Sequence, residues 1–315
     1  MTDLTTLRQF VVVARLEHLS RAADELHVAQ PSLSRTIARL ESELGTPLFD
    51  RTNRLRLNPA GALFRGYVER ALGELDAGRR AVAEATAQGA GSVRLAAETF
   101  LALTEPIAAF KREHPTIEIE LQQLPADEMP RRLRAQDVDL CVASQPIPSA
   151  GLESAVLLDE PVLVVTHLRH RFAKRESLKV EDLADEPFVI ARKGQWQRRL
   201  LDRLFAETGL TPRIVCESDE AAAIQELIRS GLGIGFNPDF ARRTIPDYPV
   251  AAIPVDHPEC RRTLSLLWSA DTTPSTAARL LREAITSWPW TPPGPGEARP
   301  RPAGVRKSVR TSRSR

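Results

Sequence analysis

Cysteine is scarce in this chain of 315 residues: Cys141, Cys216 and Cys260 are odd in number, widely spaced and form no C-x-x-C pair. That usage argues against a redox or metal centre and for small core residues in a reducing compartment. Long apolar runs are missing as well. The longest, such as Ala155–Leu158 and Pro161–Thr166, fall far short of the ~20 residues a membrane span needs, so no membrane partner is expected. The start carries Asp3 and Arg8 in an amphipathic pattern in place of a basic end and an apolar block, which predicts no export signal and a cytoplasmic protein. No Walker loop, G-x-G-x-x-G after a strand, H-E-x-x-H or nucleophile elbow occurs, and His18, His27, His114, His167, His170 and His257 lack metal spacing. An enzyme is therefore not expected, and neither are catalytic residues, a metal or a cofactor.

An excess of charge is absent too, with 43 Lys and Arg against 41 Asp and Glu, and a net +2 does not mark the chain as nucleic-acid-binding. The total conceals an uneven distribution. Residues 291–315 hold seven Arg and Lys against Glu297 alone, a balance of +6 that leaves −4 for residues 1–290. Rich in Pro and Gly, then in Arg and Ser, residues 291–315 read as a disordered basic tail that either solubilises the protein or attracts DNA nonspecifically. What remains is ordinary globular composition, 42% hydrophobic and 27% charged, in a length that points to two or three units.

The first 58 residues read as three helices and a hairpin. Leu4, Leu7, Phe10, Val11 and Ala14 recur at helical spacing up to Glu17-His18. Ser20 stands where an N-cap belongs, ahead of Arg21–Leu26, and a four-residue break follows. Pro31 occupies the first turn of a helix that runs to Leu44 before Gly45. In that helix Leu33, Ile37, Leu40 and Leu44 share one face, with Ser32, Arg35, Arg39 and Ser42 on the other. Strands near Leu48-Phe49 and Leu55–Leu57 bracket the polar tip Thr52-Asn53-Arg54. Helix, break, helix and wing, with Arg35, Arg39, Arg51, Arg54 and Arg56 gathered on the last two elements, match what DNA requires. Short polar side chains at a helix start approach base edges, and arginines hold phosphate or read guanine. A solvated face of a structural helix bundle would show the same spacing.

Asn58 then caps a long helix with Pro59 at its first position, and nothing stops it before Gly89. Phe64, Val68, Ala71, Leu75, Gly78, Val82 and Ala85 form a heptad seam that so small a domain cannot bury. A partner helix is the simplest remedy, and packing along the rest of its own chain is the alternative. After Gly89–Ser92 the pattern changes to strands near Val93–Ala97, Ile117–Leu124, Val138–Ala143, Val162–Thr166, Phe188–Ala191, Arg213–Glu217, Gly233–Phe236, Val250–Val255 and Leu264–Ser269. Helices near Thr104–His114, Glu128–Ala135, Gln197–Thr208, Glu220–Ser230 and Thr276–Trp288 alternate with them, which argues for α/β architecture with mainly parallel sheets.

The runs Leu19–Ala23, Leu26–Arg35, Ile37 with Leu40-Glu41, and Leu44–Arg51 resemble the winged helix-turn-helix of LysR-type transcriptional regulators. The resemblance continues to about Trp288, with Gly231–Gly235 similar to the family's second effector subdomain. It implies an α/β multi-domain chain: an all-α winged helix-turn-helix over 1–58 (helix-turn-helix about 18–37), a linker and dimerisation helix over 59–88, a hinge over 89–92 and an effector domain over 93–290. That domain is of periplasmic-binding-protein type, with lobe one about 93–165 and 267–290 and lobe two about 166–266. Implied partners are double-stranded promoter DNA, a small-molecule effector, a second copy through the linker helix, a tetramer built from two such dimers, and RNA polymerase. Ser20, Gln30, Pro31, Ser32, Ser34, Arg35 and Arg39, with Arg51 and Arg54 from the wing, become the DNA-contact candidates. Ala29 departs from the family, where Ser or Thr caps this helix, a loss that typically costs about 1 kcal/mol.

Because pockets in such folds open at strand ends and helix starts, the resemblance directs attention to Glu98, Thr99, Phe100, Ser144, Gln145, Arg192, Gln195, Trp196 and Asn237 for the effector. Glu98 stands where a small polar residue is common and would repel a carboxylate, whereas Arg192 and Lys193 would attract one. A two-lobed binding protein or a redox sensor without DNA binding is the competing reading. A solute receptor would carry an export signal where this chain has a helix-turn-helix, and a redox sensor needs Cys216 and Cys260 brought together.

Overall fold

In a computed structural model, residues 3–52, 54–86, 91–147, 151–244 and 249–290 are described. Asp3 opens the first helix, α1 (Leu4–Leu16), by accepting a 2.7 Å hydrogen bond from the Thr6 N–H, and Glu17 closes it with φ 46°. The second helix, α2 (Leu19–Glu25), is capped by His18, whose Nδ1 accepts from the Arg21 N–H, so Ser20 lies inside the first turn and not at the cap. Helix α3 (Gln30–Leu44) begins after Ala29 without a side-chain cap and ends at Gly45, whose φ of 68° suits glycine. Leu33, Ile37 and Leu40 are buried, whereas Leu44 at the last turn is 40% exposed because the core ends below it.

A two-stranded wing follows, β1 (Phe49–Asp50) paired antiparallel with β2 (Arg56–Leu57). Asn58 then caps α4 (Pro59–Thr86), its side chain accepting from the Gly61 N–H at 2.8 Å. Phe10, Val13, Leu33, Ile37, Phe49 and Val68 make the common core, with the Phe10 ring 5.8 Å from Phe49 and 5.3 Å from Phe64. Burying each such side chain contributes roughly 1.5–3 kcal/mol. Asn53 at the wing tip, Gly89-Ala90 of the hinge and the basic tail lie outside the described residues.

The remainder runs β3 (Ser92–Ala97), α5 (Thr104–Glu113), β4 (Glu118–Gln123), α6 (Met129–Arg134), β5 (Leu140–Ala143), β6 (Leu152–His167), β7 (Pro187–Ala191), α7 (Trp196–Thr208), β8 (Arg213–Ser218), α8 (Ala221–Arg229), β9 (Gly235–Pro238), α9 (Asp239–Thr244), β10 (Val250–Pro254), β11 (Arg261–Ser269) and α10 (Thr276–Thr286). One sheet has the order β10-β6-β11-β5-β3-β4, with β9 also on β6, and β7 pairs with β8 apart from it. Among the described residues, β3–β4, β3–β5 and β7–β8 are parallel, but β6 runs antiparallel to β9, β10 and β11, as β11 does to β5. The sheet is mixed, not mainly parallel, because the chain returns between lobes on strands that pair directly.

Two main cores flank this ladder. Val93, Leu95, Phe110, Leu157, Leu264 and Leu281 belong to one, and Val162, Val164, Phe188, Leu204, Phe236 and Cys260 to the other. The change of lobe therefore falls between Leu157 and Val162 on β6 and between Cys260 and Leu264 on β11, a few residues before the expected crossings.

Glu41 ties α3 to the wing: Oε1 accepts from the Leu48 N–H at 2.8 Å and the Phe49 N–H at 3.2 Å, and Oε2 from Arg51 at 2.7 Å. Glu41→Ala leaves two part-buried backbone donors unpaired and is expected to destabilise this unit by about 2 kcal/mol. Amide hydrogen exchange at Leu48 and Phe49 checks it; unchanged protection would refute the role.

Candidate functional site

Three regions bring the chemistry-bearing residues together. At the first, the buried stripe of α3 forces Gln30, Pro31, Ser32, Arg35 and Arg39 outward, and all five are exposed, with Ser34 half-buried beside them. The Arg35 Nε donates to the Pro31 carbonyl at 3.3 Å, which draws the guanidinium back toward the helix start. Ala29 supplies no capping side chain, Pro31 has no N–H and the Ser32 N–H donates to the Ala29 carbonyl at 2.9 Å, so the Gln30 N–H is the group this helix start offers an anion. Arg51 and Arg54 are exposed on the wing, Arg51 held by Glu41. Ser20 is exposed on α2.

The second is α4. Its expected seam divides: Phe64 and Val68 turn into the helix-turn-helix core, joined by Leu72, whereas Leu63, Tyr67, Leu75 and Val82 are exposed. The reason is that the small domain claims one side of the first turns, displacing the free stripe by one residue. Farther along, α4 touches its own effector region. A Cβ on Gly73 would lie 2.5 Å from the Ala135 carbonyl oxygen, so the glycine permits contact with the end of α6. Gln136, held at φ 54°, donates to Glu74 Oε1 at 2.7 Å and to Thr272 Oγ1 at 3.3 Å, and Arg131 reaches Glu69 at 3.5 Å.

The third is a cavity of about 550 Å³ between the lobes. Glu98, Thr99, Leu101, Ala102 and Gln123 line it from the first lobe; Val165, Gln195, Trp196, Ala222, Ile224 and Asn237 line it from the second. Five of the nine effector candidates, Glu98, Thr99, Gln195, Trp196 and Asn237, are thus assembled there. Ser144 and Gln145 line a neighbouring depression of about 230 Å³ that shares Trp196 with it. Phe100 instead packs on the first lobe's core, and Arg192 turns outward to pair with Asp219 at 2.9 Å. Sequence reasoning missed Arg262, which borders the cavity on β11, because its partner Glu160 is 102 positions away.

Glu98 is 3% exposed, with Oε2 accepting from the Ser144 N–H at 2.8 Å while Oε1 meets no hydrogen-bond donor among the described residues. Burial pushes its carboxyl up to about 7 against the opposing pull of the Ser144 N–H, Arg199, Arg262 and the Trp196 N–H. Arg262 and Glu160 form an ion pair, both almost fully buried, and the guanidinium lies 5.4 Å from the Trp196 ring centre. Burial pushes the Cys260 thiol up to about 12 and raises that of Cys141 as well, which disfavours the thiolate at both. No helix of the described residues is long and apolar enough to cross a membrane, and none of their His, Cys, Asp and Glu side chains cluster in threes to hold a metal.

Two family models match the chain. Residues 4–62 match the bacterial regulatory helix-turn-helix protein, lysR family, and residues 86–289 match the LysR substrate binding domain. The chain is 32% identical over 285 residues to the uncharacterized HTH-type transcriptional regulator YybE of Bacillus subtilis, covering 89% of this chain and 97% of that one. It is 33% identical over 273 residues to the transcriptional dual regulator GltC of the same organism, covering 84% and 90%. Its fold is similar to full-length CbnR complexed with its target DNA, with TM-score 0.59 and 21% identity over 90% of this chain and 99% of that one.

The raised carboxyl of Glu98 carries a stability signature. Between pH 4.5 and 7 the folded protein holds a proton that the unfolded chain has lost, so stability falls as pH rises through that window and levels off above it, by roughly 3 kcal/mol. Glu98→Gln is expected to remove this component, and thermal melts of both proteins at pH 5 and pH 8 measure it. An equal fall in the variant would refute the assignment.

Proposed function

The chain belongs to the LysR family of bacterial transcriptional regulators, and we propose how its own residues carry out DNA-binding regulation in response to a small molecule. The exposed start of α3 enters the major groove, where Gln30, Ser32 and Arg35 approach base edges, with Pro31 and Ser34 shaping that end. The Gln30 N–H, Ser20, Arg39 and the wing residues Arg51 and Arg54 take phosphate. Arg54 supplies more free charge than Arg51, whose guanidinium is shared with Glu41. The observation that carries this reading is the division of α3 into a buried stripe and an exposed, polar, uncapped N-terminal face.

Two copies pair through α4 along Leu63, Tyr67 and Leu75, which places two recognition helices for two half-sites, and two dimers join into a tetramer through the effector domains. The effector binds in the cavity between the lobes and shifts the balance between assembly geometries that hold the half-sites differently. The regulator works in the cytoplasm, with RNA polymerase as the partner that reads the outcome at the promoter.

Arg35→Ala is expected to weaken specific operator binding by roughly 10- to 100-fold with fold and oligomer retained. Footprinting on genomic fragments and gel shifts on the protected sites measure it; unchanged affinity would overturn the placement of α3. Tyr67→Asp combined with Leu75→Asp should give monomers in light scattering at micromolar concentration and lose binding to two-half-site DNA. A dimer persisting in that variant would refute pairing through α4.

A further inference from the structure

The cavity is lined by a carboxyl group that makes no salt bridge among the described residues. Glu98 lines it at 3% exposure, and its Oε1 is buried without a hydrogen-bond partner among the described residues. A buried polar atom without a partner is costly, and the other charged groups nearby are already committed. Arg262 on β11 gives Nε and Nη2 to Glu160 on β6. Arg199 on α7 has a side chain 41% exposed and pairs with Asp127 at 3.7 Å. At the rim, Asp219 faces Arg192. On the lobe-two side the Gln225 and Asn237 amides hydrogen-bond each other. Much of the remaining wall is apolar, including Leu101, Val165, Ile224 and Phe240.

Resting on the reading of this cavity as the effector site, we propose that its ligand is an organic cation: a protonated amine on an apolar body, with the nitrogen donating to Glu98 Oε1. A carboxylate ligand in the same place would set two anions within one poorly solvated cavity. The ammonium supplies the donor Oε1 lacks, and its charge favours the ionised form of Glu98. When the cation enters, the Glu98 proton leaves to solvent, so binding is coupled to pH. The groups that set this titration are Ser144 and its N–H from the end of β5, Arg199 and the Trp196 N–H from α7, and Arg262 with Glu160 from the central strands. With the carboxyl at about 7, the ionised fraction rises about tenfold between pH 6 and pH 8, and amine affinity rises with it.

The test is calorimetry on the full chain with isoamylamine, phenethylamine and putrescine against isovalerate and phenylacetate. Expected are binding of at least one amine, about tenfold tighter at pH 8 than at pH 6 with proton release, and loss of that binding in Glu98→Gln and in Ala222→Trp, which fills the cavity from an exposed position on α8. Binding of the carboxylates in preference to the amines, abolished by Ala222→Trp, would overturn the cation and leave the cavity as effector site. Amine binding that survives both substitutions would overturn the cavity itself. Binding of neither series overturns the cation. Thermal melts of each variant verify folding.

Discussion

The ion pair between Arg262 and Glu160 is the constraint around which the effector region is arranged. Both side chains are almost fully buried on β11 and β6, the strands that the two lobes share. The Glu160 Oε2 accepts from the Phe240 N–H, which fixes the start of α9, while Arg262 lies against Trp196 at the start of α7. One pair thus holds two central strands and two of the helix starts that border the cavity. Burying two charges gains little net stability over an apolar pair, but removing one partner strands the other at a cost of about 3–5 kcal/mol. Its consequence is a single register for the seam, and therefore a defined cavity.

Much of the helical architecture was legible because local signals agreed with tertiary packing. Pro31, Gly45 and Asn58 mark ends that the folded chain uses, and the apolar spacing of α3 predicts Leu33, Ile37 and Leu40 as the residues it buries. Where the local signal was ambiguous, packing decided. Ser20 has the chemistry of a cap, yet His18 sits at the backbone position that needs one. The first half of β6, with Glu153, Asp159, Glu160 and Pro161, lacks strand alternation because it is held by pairing with β11 across a register shift at Leu264/Ser265.

The cavity was legible in outline for a different reason. Strand ends and helix starts are local features, so Glu98, Thr99, Gln195, Trp196 and Asn237 could be singled out without knowing which would converge. Side-chain direction is a long-range matter. Phe100 turns into a core and Arg192 to a salt bridge with Asp219, and nothing at the neighbouring positions announces either. Arg262 and Glu160 lie too far apart in sequence for any spacing to couple them.

A ligand in the cavity can affect DNA only through contacts that differ between lobe arrangements, since equal affinity for both shifts nothing. Glu98 meets this condition. It hangs from the end of β3 in one lobe, bonded to the Ser144 N–H, while the Trp196 N–H of the other lobe lies near enough to perturb its titration. A group bound there bears on both walls at once. From the first lobe the path outward is short, because the Ala135 carbonyl presses against Gly73 of α4 and Gln136 is bonded to Glu74. A Cβ on Gly73 would lie 2.5 Å from that carbonyl, so backbone meets backbone here with no flexible side chain between α6 and α4. The start of α4 is built into the helix-turn-helix core through Phe64 and Val68, so one continuous helix joins that core to the first lobe.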